Sequence, residues 1–228
     1  MSDYGWHEEA KKMWNDKASF WHSNSREMWD EGSRKTIVPF FEQFVPIGST
    51  VLDLGCGDGY GSYKLWHRGY DVTGVDLSNE MITLCHHRMN DEMDQLMFEQ
   101  ADMLDLPFKH DTFDSLIAIN SLEWTEVPAK AFDEISRVIK PGGYLLFGIL
   151  GPTAGPRAHS YNRIYGEDVI CNTMMPWEFE KLATEQGYSI IGSEGVYKQG
   201  VDKSHLGRLS QELKQSLSFM WLFMLQKQ

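Results

Sequence analysis

The chain has 228 residues, 42% of them apolar, which suits one α/β domain with an appended cap and leaves too little for two full domains. Its 33 acids outnumber its 21 lysines and arginines, a formal charge of −12 that repels nucleic-acid backbones and anionic membranes and leaves a small molecule as the expected partner. Cys56, Cys85 and Cys171 are odd in number and lack CxxC spacing, which argues against a disulfide framework or a zinc site and for a reducing compartment.

No basic segment leads into an apolar one, and no apolar run approaches about 18 residues, so the expectation is a soluble cytoplasmic protein without a membrane span. Residues 1–31 are polar yet carry Trp6, Trp14, Phe20, Trp21 and Trp29. Trp14 and Trp21 are two helical turns apart, so a continuous helix would set both on one face, able to pack as a lid over a neighbouring site. A helix is expected from Ser33, as N-cap, to Phe44, with Pro46 and Gly48 ending it. Residues 1–48 thus read as a helical arm and 49–228 as a single core.

That core begins at Val51 to Leu54, a short apolar run with Asp53 near its end, which reads as a buried parallel strand entering the turn Gly55-Cys56-Gly57-Asp58-Gly59. A helix follows from Gly61, and its N-terminus suits a phosphate or carboxylate. The dinucleotide fingerprint needs a third glycine where Tyr60 stands. Asp71 to Leu77 forms the second strand and ends on Asp76, placed to grip a ribose diol; Ser78 caps the next helix, to about Asn90. His86 and His87 are consecutive on that helix and point about 100° apart, so they do not make a joint metal site.

Leu96–Gln100 and Ser115–Ile119 are the third and fourth strands, Pro128 to Ile139 a helix ended by Pro141-Gly142-Gly143, and Tyr144–Ile149 the fifth strand. Residues 151–175 read as a loop whose Arg157, His159, Tyr161 and Tyr165 could face a substrate. A helix over Pro176–Gln186, a strand over Tyr188–Tyr197, a helix over Ser204–Lys214 and a last strand over Ser218–Leu225 complete the chain. Strands alternating with helices at this rhythm predict a doubly wound, Rossmann-like α/β fold with a seven-stranded, mainly parallel sheet.

Taken together, Asp53-x-Gly55-x-Gly57, Gly74-Val75-Asp76-Leu77-Ser78, Asp102, Leu106-Pro107-Phe108, Phe113-Asp114 and Arg137-Val138-Ile139-Lys140-Pro141-Gly142-Gly143 resemble the class I S-adenosylmethionine (SAM) dependent methyltransferases. The closest resemblance is to the type 11 branch, which includes ubiquinone and menaquinone biosynthesis enzymes; it covers about residues 50–150. It implies an antiparallel last strand, SAM as cofactor, S-adenosylhomocysteine (SAH) as product, a small-molecule methyl acceptor and no metal.

By that resemblance the turn Gly55, Cys56, Gly57 meets the methionine part of SAM and Asp53 helps hold its amino end. Asp76 takes the ribose hydroxyls, Asp102 the adenine amino group and the Met103 N–H a ring nitrogen. Leu77 and Leu122 sandwich the ring, Met81 adds a wall, Asn120 lies near the methionine end, and Trp21 of the arm is the expected lid contact. Because the sulfonium is already activated, in-line displacement needs positioning more than acid–base chemistry, so no catalytic residue is assigned. His22, Glu123 and His159 are candidate bases, none of them committed. Two other readings share these motifs in part: a SAM-binding protein without catalysis, and a nicotinamide-dependent oxidoreductase.

Overall fold

The computed structural model describes residues 5–228; the first four residues of the expected arm lie outside the described residues. Its centre is a seven-stranded sheet of β1 (Thr50–Leu54), β2 (Asp71–Asp76), β3 (Leu96–Gln100), β4 (Phe113–Ile119), β5 (Ile139–Leu150), β6 (Tyr188–Tyr197) and β7 (Ser218–Lys227). The spatial order is β3-β2-β1-β4-β5-β7-β6, with the first five strands parallel and β7 antiparallel to both of its neighbours. Val51, Leu52 and Leu116 of the central strands are fully buried, as strands covered on both faces require.

One face is covered by α5 (Pro128–Val138) and α6 (Pro176–Glu185), where Ala131, Phe132, Ile135 and Val138 recur at helical spacing and pack with Phe147 and Phe179. The other face receives α2 (Ile37–Phe41), α3 (Tyr60–Trp66) and α4 (Asn79–Arg88) through Phe41, Leu65, Ile82 and Cys85. Strand order reverses between β1 and β4. That switch point opens a crevice at the carboxyl ends of β1, β2 and β4, where an α/β sheet holds its ligand.

Across this crevice lies α1 (Trp6–Asp30), a continuous helix of 25 residues. Its C-terminal end is seated by Trp29 on α3: a Cβ added to Gly61 would come within 2.4 Å of the indole, so only glycine permits the approach. Midway, Ser78 Oγ donates to Asn15 Oδ1 at 2.6 Å, pinning α1 to the start of α4.

Four expected boundaries move. The helix expected from Ser33 to Phe44 shrinks to α2, because Gly32 and Arg34 send their N–H groups back to Glu27 O and Met28 O and so close α1 instead. Pro141-Gly142-Gly143 lies inside β5: Phe113 pairs with Ile139 but Ser115 with Tyr144, so the extra residues bulge out of register, Gly142 at φ +77°. The loop over 151–175 contains a 3-10 run, Gly155–Tyr165. The helix expected over 204–214 splits into a 3-10 turn, Lys203–Arg208, and α7 (Gln211–Ser216), because Ser210 accepts the Leu213 N–H and starts a new helix.

Candidate functional site

The crevice floor is built where β1 meets the glycine turn. Gly55, Gly57 and Gly59 all adopt φ between +58° and +75°. A Cβ on Gly55 would fall 2.5 Å from Ser121 Cβ, whereas one on Gly57 would meet nothing within 4 Å. The turn is therefore packed at its first glycine and opens onto the cavity at its second.

Its amides are already engaged. Gly55 and Cys56 donate to Val75 O at 2.8 and 2.9 Å, and Gly57 N–H donates to Asp76 Oδ2 at 2.9 Å. Asp76 Oδ1 takes the Ser78 N–H, also at 2.9 Å, so this carboxylate ties the end of β2 to the turn. Each oxygen keeps a lone pair for a ligand hydroxyl. Burial raises the Asp76 pKa to about 6 against the lowering effect of those N–H groups.

At the end of β4, Asn120 is held at φ +53°, unusual for a side chain with a Cβ. Its Oδ1 and the neighbouring Ser121 Oγ are buried, line the cavity and have no partner among the described residues. Buried polar atoms without partners are costly, and these two belong to residues on the cavity wall.

Above them, α1 presents His7, Ala10, Trp14, Trp21 and Ser25 along one stripe. Arg34, from the turn after α1, lies 5.5 Å from the Trp21 ring and 5.6 Å from Trp29 and also lines the cavity. Its guanidinium makes no hydrogen bond or ion pair among the described residues, and burial pushes its pKa below the usual value. Asp58, by contrast, is saturated: His22 Nδ1 lies 2.9 Å from one oxygen, which also takes Arg88 Nη2 at 2.8 Å, and Ser25 Oγ donates to the other at 2.6 Å.

Ten of the twelve residues singled out from sequence line this cavity: Gly55, Cys56 and Gly57 on the turn, Asp76, Leu77 and Met81 after β2, Asp102 and Met103 after β3, Asn120 after β4, and Trp21 on the roof. Two stand behind it. Asp53 takes Ser62 Oγ at 2.6 Å beneath the turn, with burial raising its pKa to about 6, and Leu122 is buried in the core with Leu54 and Val75. Neither is part of the cavity wall: Asp53 turns to Ser62, and Leu122, on the 3-10 turn Leu122–Trp124, packs into the core.

The loop candidates do not assemble there. Arg157 turns inward and donates to the carbonyls of Leu150, Gly151 and Met174; Tyr161 and Tyr165 point to solvent. His159 meets Lys17 at 3.2 Å, His22 is engaged by Asp58, and Glu123 is fully buried off the cavity, its Oε1 on the Leu150 N–H and burial raising its pKa to about 7. No cluster of three or more potential metal ligands occurs among the described residues, and no helix there is long and apolar enough to cross a membrane.

Sequence reasoning missed His7, Ala10, Ser25, Arg34, Trp124 and Glu126, all on the wall. Residues 7, 10, 14, 21 and 25 share one helical stripe, so the Trp14/Trp21 spacing already contained a signal for three of them. Arg34, Trp124 and Glu126 had none.

Comparison with known proteins adds an independent line. Residues 52–147 match the family described as methyltransferase domain. The biotin biosynthesis bifunctional protein BioHC of Teredinibacter turnerae is 31% identical over 61% of this chain and 26% of its own length. The demethylmenaquinone methyltransferase of Clavibacter sepedonicus is 36% identical over 43% of this chain and 40% of its own. The chain thus spans less than half the length of these curated relatives. Among solved structures, the putative methyltransferase of Haloferax volcanii, in complex with the Trm112 methyltransferase activator, superposes with a TM-score of 0.70 over 94% of this chain and 96% of its own at 20% identity.

Proposed function

We propose that this chain, a class I methyltransferase by its 52–147 domain and its sheet, transfers the methyl group of SAM to a small-molecule acceptor by in-line displacement. The observation that carries this is the Asp76 carboxylate at the end of β2, wired to the Gly57 N–H where the glycine turn opens onto the cavity. A ribose diol can take the two remaining lone pairs there. The residues present also fit the rest of the cofactor: the uncovered space at Gly57 admits its amino-acid part, and the orphaned Asn120 Oδ1 and Ser121 Oγ accept from or donate to it.

Arg34 completes that fit. A guanidinium held between two indoles, unpaired and facing the cavity, is pre-organised for a carboxylate, and the methionine part of SAM supplies one. Leu77, Met81 and Met103 supply apolar walls for adenine, with Asp102 at its edge. The bound cofactor would bring a methyl group already activated on sulfur. The protein then needs to orient two reactants and keep water out, and α1 is the element placed to do so. We assign residues 1–48 to this covering arm and 49–228 to the cofactor-binding core. Three buried free thiols support a reducing, cytoplasmic location.

Isothermal titration tests the reading: SAM and SAH should bind and raise the thermal midpoint, and NADH should do neither. Binding of NADH without SAM would overturn it. SAH production with a pool of acceptors then separates a transferase from a binding protein.

A further inference from the structure

Beside the residues assigned to the cofactor, the wall has an uncommitted end formed by Trp6, Trp14, Trp124, Thr125, Glu126 and Pro156. Trp14 sits at the centre of its aromatic part, its ring centroid 5.1 Å from Trp124 at 81° and 6.2 Å from Trp21 at 49°. These indoles are fixed in place. Trp6 Nε1 donates to Trp124 O at 2.8 Å and Trp124 Nε1 to Asn120 O at 2.7 Å, so these indole N–H groups are spent on backbone carbonyls, and the His159 ring, 6.0 Å from Trp124, backs the pair; Trp14 and Trp124 turn the rest of their surface to the cavity.

Charge narrows what that ligand is. The positively charged or chargeable side chains on the wall are Arg34 and His7; the first faces the proposed cofactor carboxylate and the second lies 3.0 Å from Asp102 Oδ2. Neither is left for an anionic acceptor. Glu126 lines the rim, exposed and engaged by no ion pair among the described residues. The whole chain, at −12, draws cations toward the cavity. Indole surfaces are the best aromatic partners of a cation, and Trp21 already serves one in Arg34.

We propose that the acceptor is an amine, held by Trp14 and Trp124 with Glu126 at the rim; this rests on the SAM reading above. In the transfer the amine lone pair forms the new N–C bond as the C–S bond breaks and leaves its electrons on sulfur. The positive charge passes from sulfur to nitrogen inside the same aromatic enclosure, which therefore stabilises the cation before and after the step. An amine that binds as its ammonium first gives a proton to Glu126 or to water, which frees the lone pair for the attack. Glu126 at the rim is the acid group left for that proton, since His22, Glu123 and His159 are engaged elsewhere.

The test uses two probes of equal shape, choline and its neutral isostere 3,3-dimethylbutan-1-ol, titrated into the SAH-loaded protein with tryptophan fluorescence and calorimetry as readouts. Choline should bind about tenfold more tightly than the isostere, the scale of a cation enclosed by indoles. Trp14→Phe should reduce that ratio and Trp124→Leu should abolish it; a ratio between isosteres is insensitive to any general loosening of the fold. Glu126→Gln should lower choline affinity alone. Equal affinity for the two probes, or a preference for butanoate over both, with SAH still bound, would overturn the amine assignment. Failure of SAH itself to bind would instead sink the reading on which it rests.

Discussion

His7 Nδ1 lies 3.0 Å from Asp102 Oδ2, joining the first turn of α1 to the segment after β3 across the mouth of the cavity. The other Asp102 oxygen takes the Leu104 N–H at 3.0 Å. The acid expected from sequence to meet adenine is therefore also a latch for the covering helix. Such a half-exposed pair is worth about 0.5–1 kcal/mol. His7→Ala should thus speed SAH release by about two- to fivefold, with the fold intact by circular dichroism. An unchanged off-rate in stopped-flow fluorescence would separate this pair from closure.

Asp76→Ala should act twice. SAM binding should weaken by about 2 kcal/mol, the scale for losing charge-assisted hydrogen bonds to a diol. The unliganded protein should also lose about 1–2 kcal/mol of stability, because the Gly57 and Ser78 N–H groups lose a charged acceptor. Calorimetry and urea denaturation measure the two separately. A variant with wild-type affinity would remove the ribose assignment.

Arg34→Met should behave in the opposite sense for stability. Replacing an unpaired, desolvated guanidinium by an apolar chain of similar length should leave the unliganded fold as stable as wild type or more so. SAH affinity should fall by at least tenfold, the scale of a hydrogen bond between charged groups. 5′-Methylthioadenosine, which lacks the amino-acid part, should bind both proteins alike. Equal losses for the two ligands would mean that Arg34 supports packing rather than a carboxylate.

Glu123 gives the pH prediction. Burial raises its folded pKa to about 7 from a usual 4.5, so the native state holds the proton more tightly than the unfolded chain. Stability from this group is then full below pH 4.5 and is lost as pH rises to about 7, by roughly 3 kcal/mol. Asp53 and Asp76 shift the same way with folded values of about 6, so each is still half-protonated there, and His159, lowered by burial, pulls the slope in the opposite sense. Glu123, with the highest of the raised carboxyl values, gives the largest share of the slope between pH 6 and 7, and Glu123→Gln, which can still accept the Leu150 N–H, should make it shallower in urea melts. An unchanged slope in Glu123→Gln would assign it elsewhere.

Sequence alone determined what repeats along the chain. Alternating apolar strands and striped helices specify a doubly wound sheet, since each buried face must find a partner layer, and the glycines at 55 and 57 with the acid at 76 point to the crevice at its switch point. These are local signals: a turn that needs positive φ, a strand that ends on a carboxylate, a helix cap at Ser78. Tertiary structure alone decided which side chains look into the cavity. Asp53 and Asp76 are alike as strand-end acids in sequence, yet the first turns to Ser62 and lies off the wall while Gly57 and Ser78 hold the second in it. Arg34 had no pattern of its own. It reaches the cavity because Gly32 and Arg34 turn back to close α1, bringing the guanidinium between Trp21 and Trp29; long-range packing sets where an irregular segment points and periodicity does not reach it.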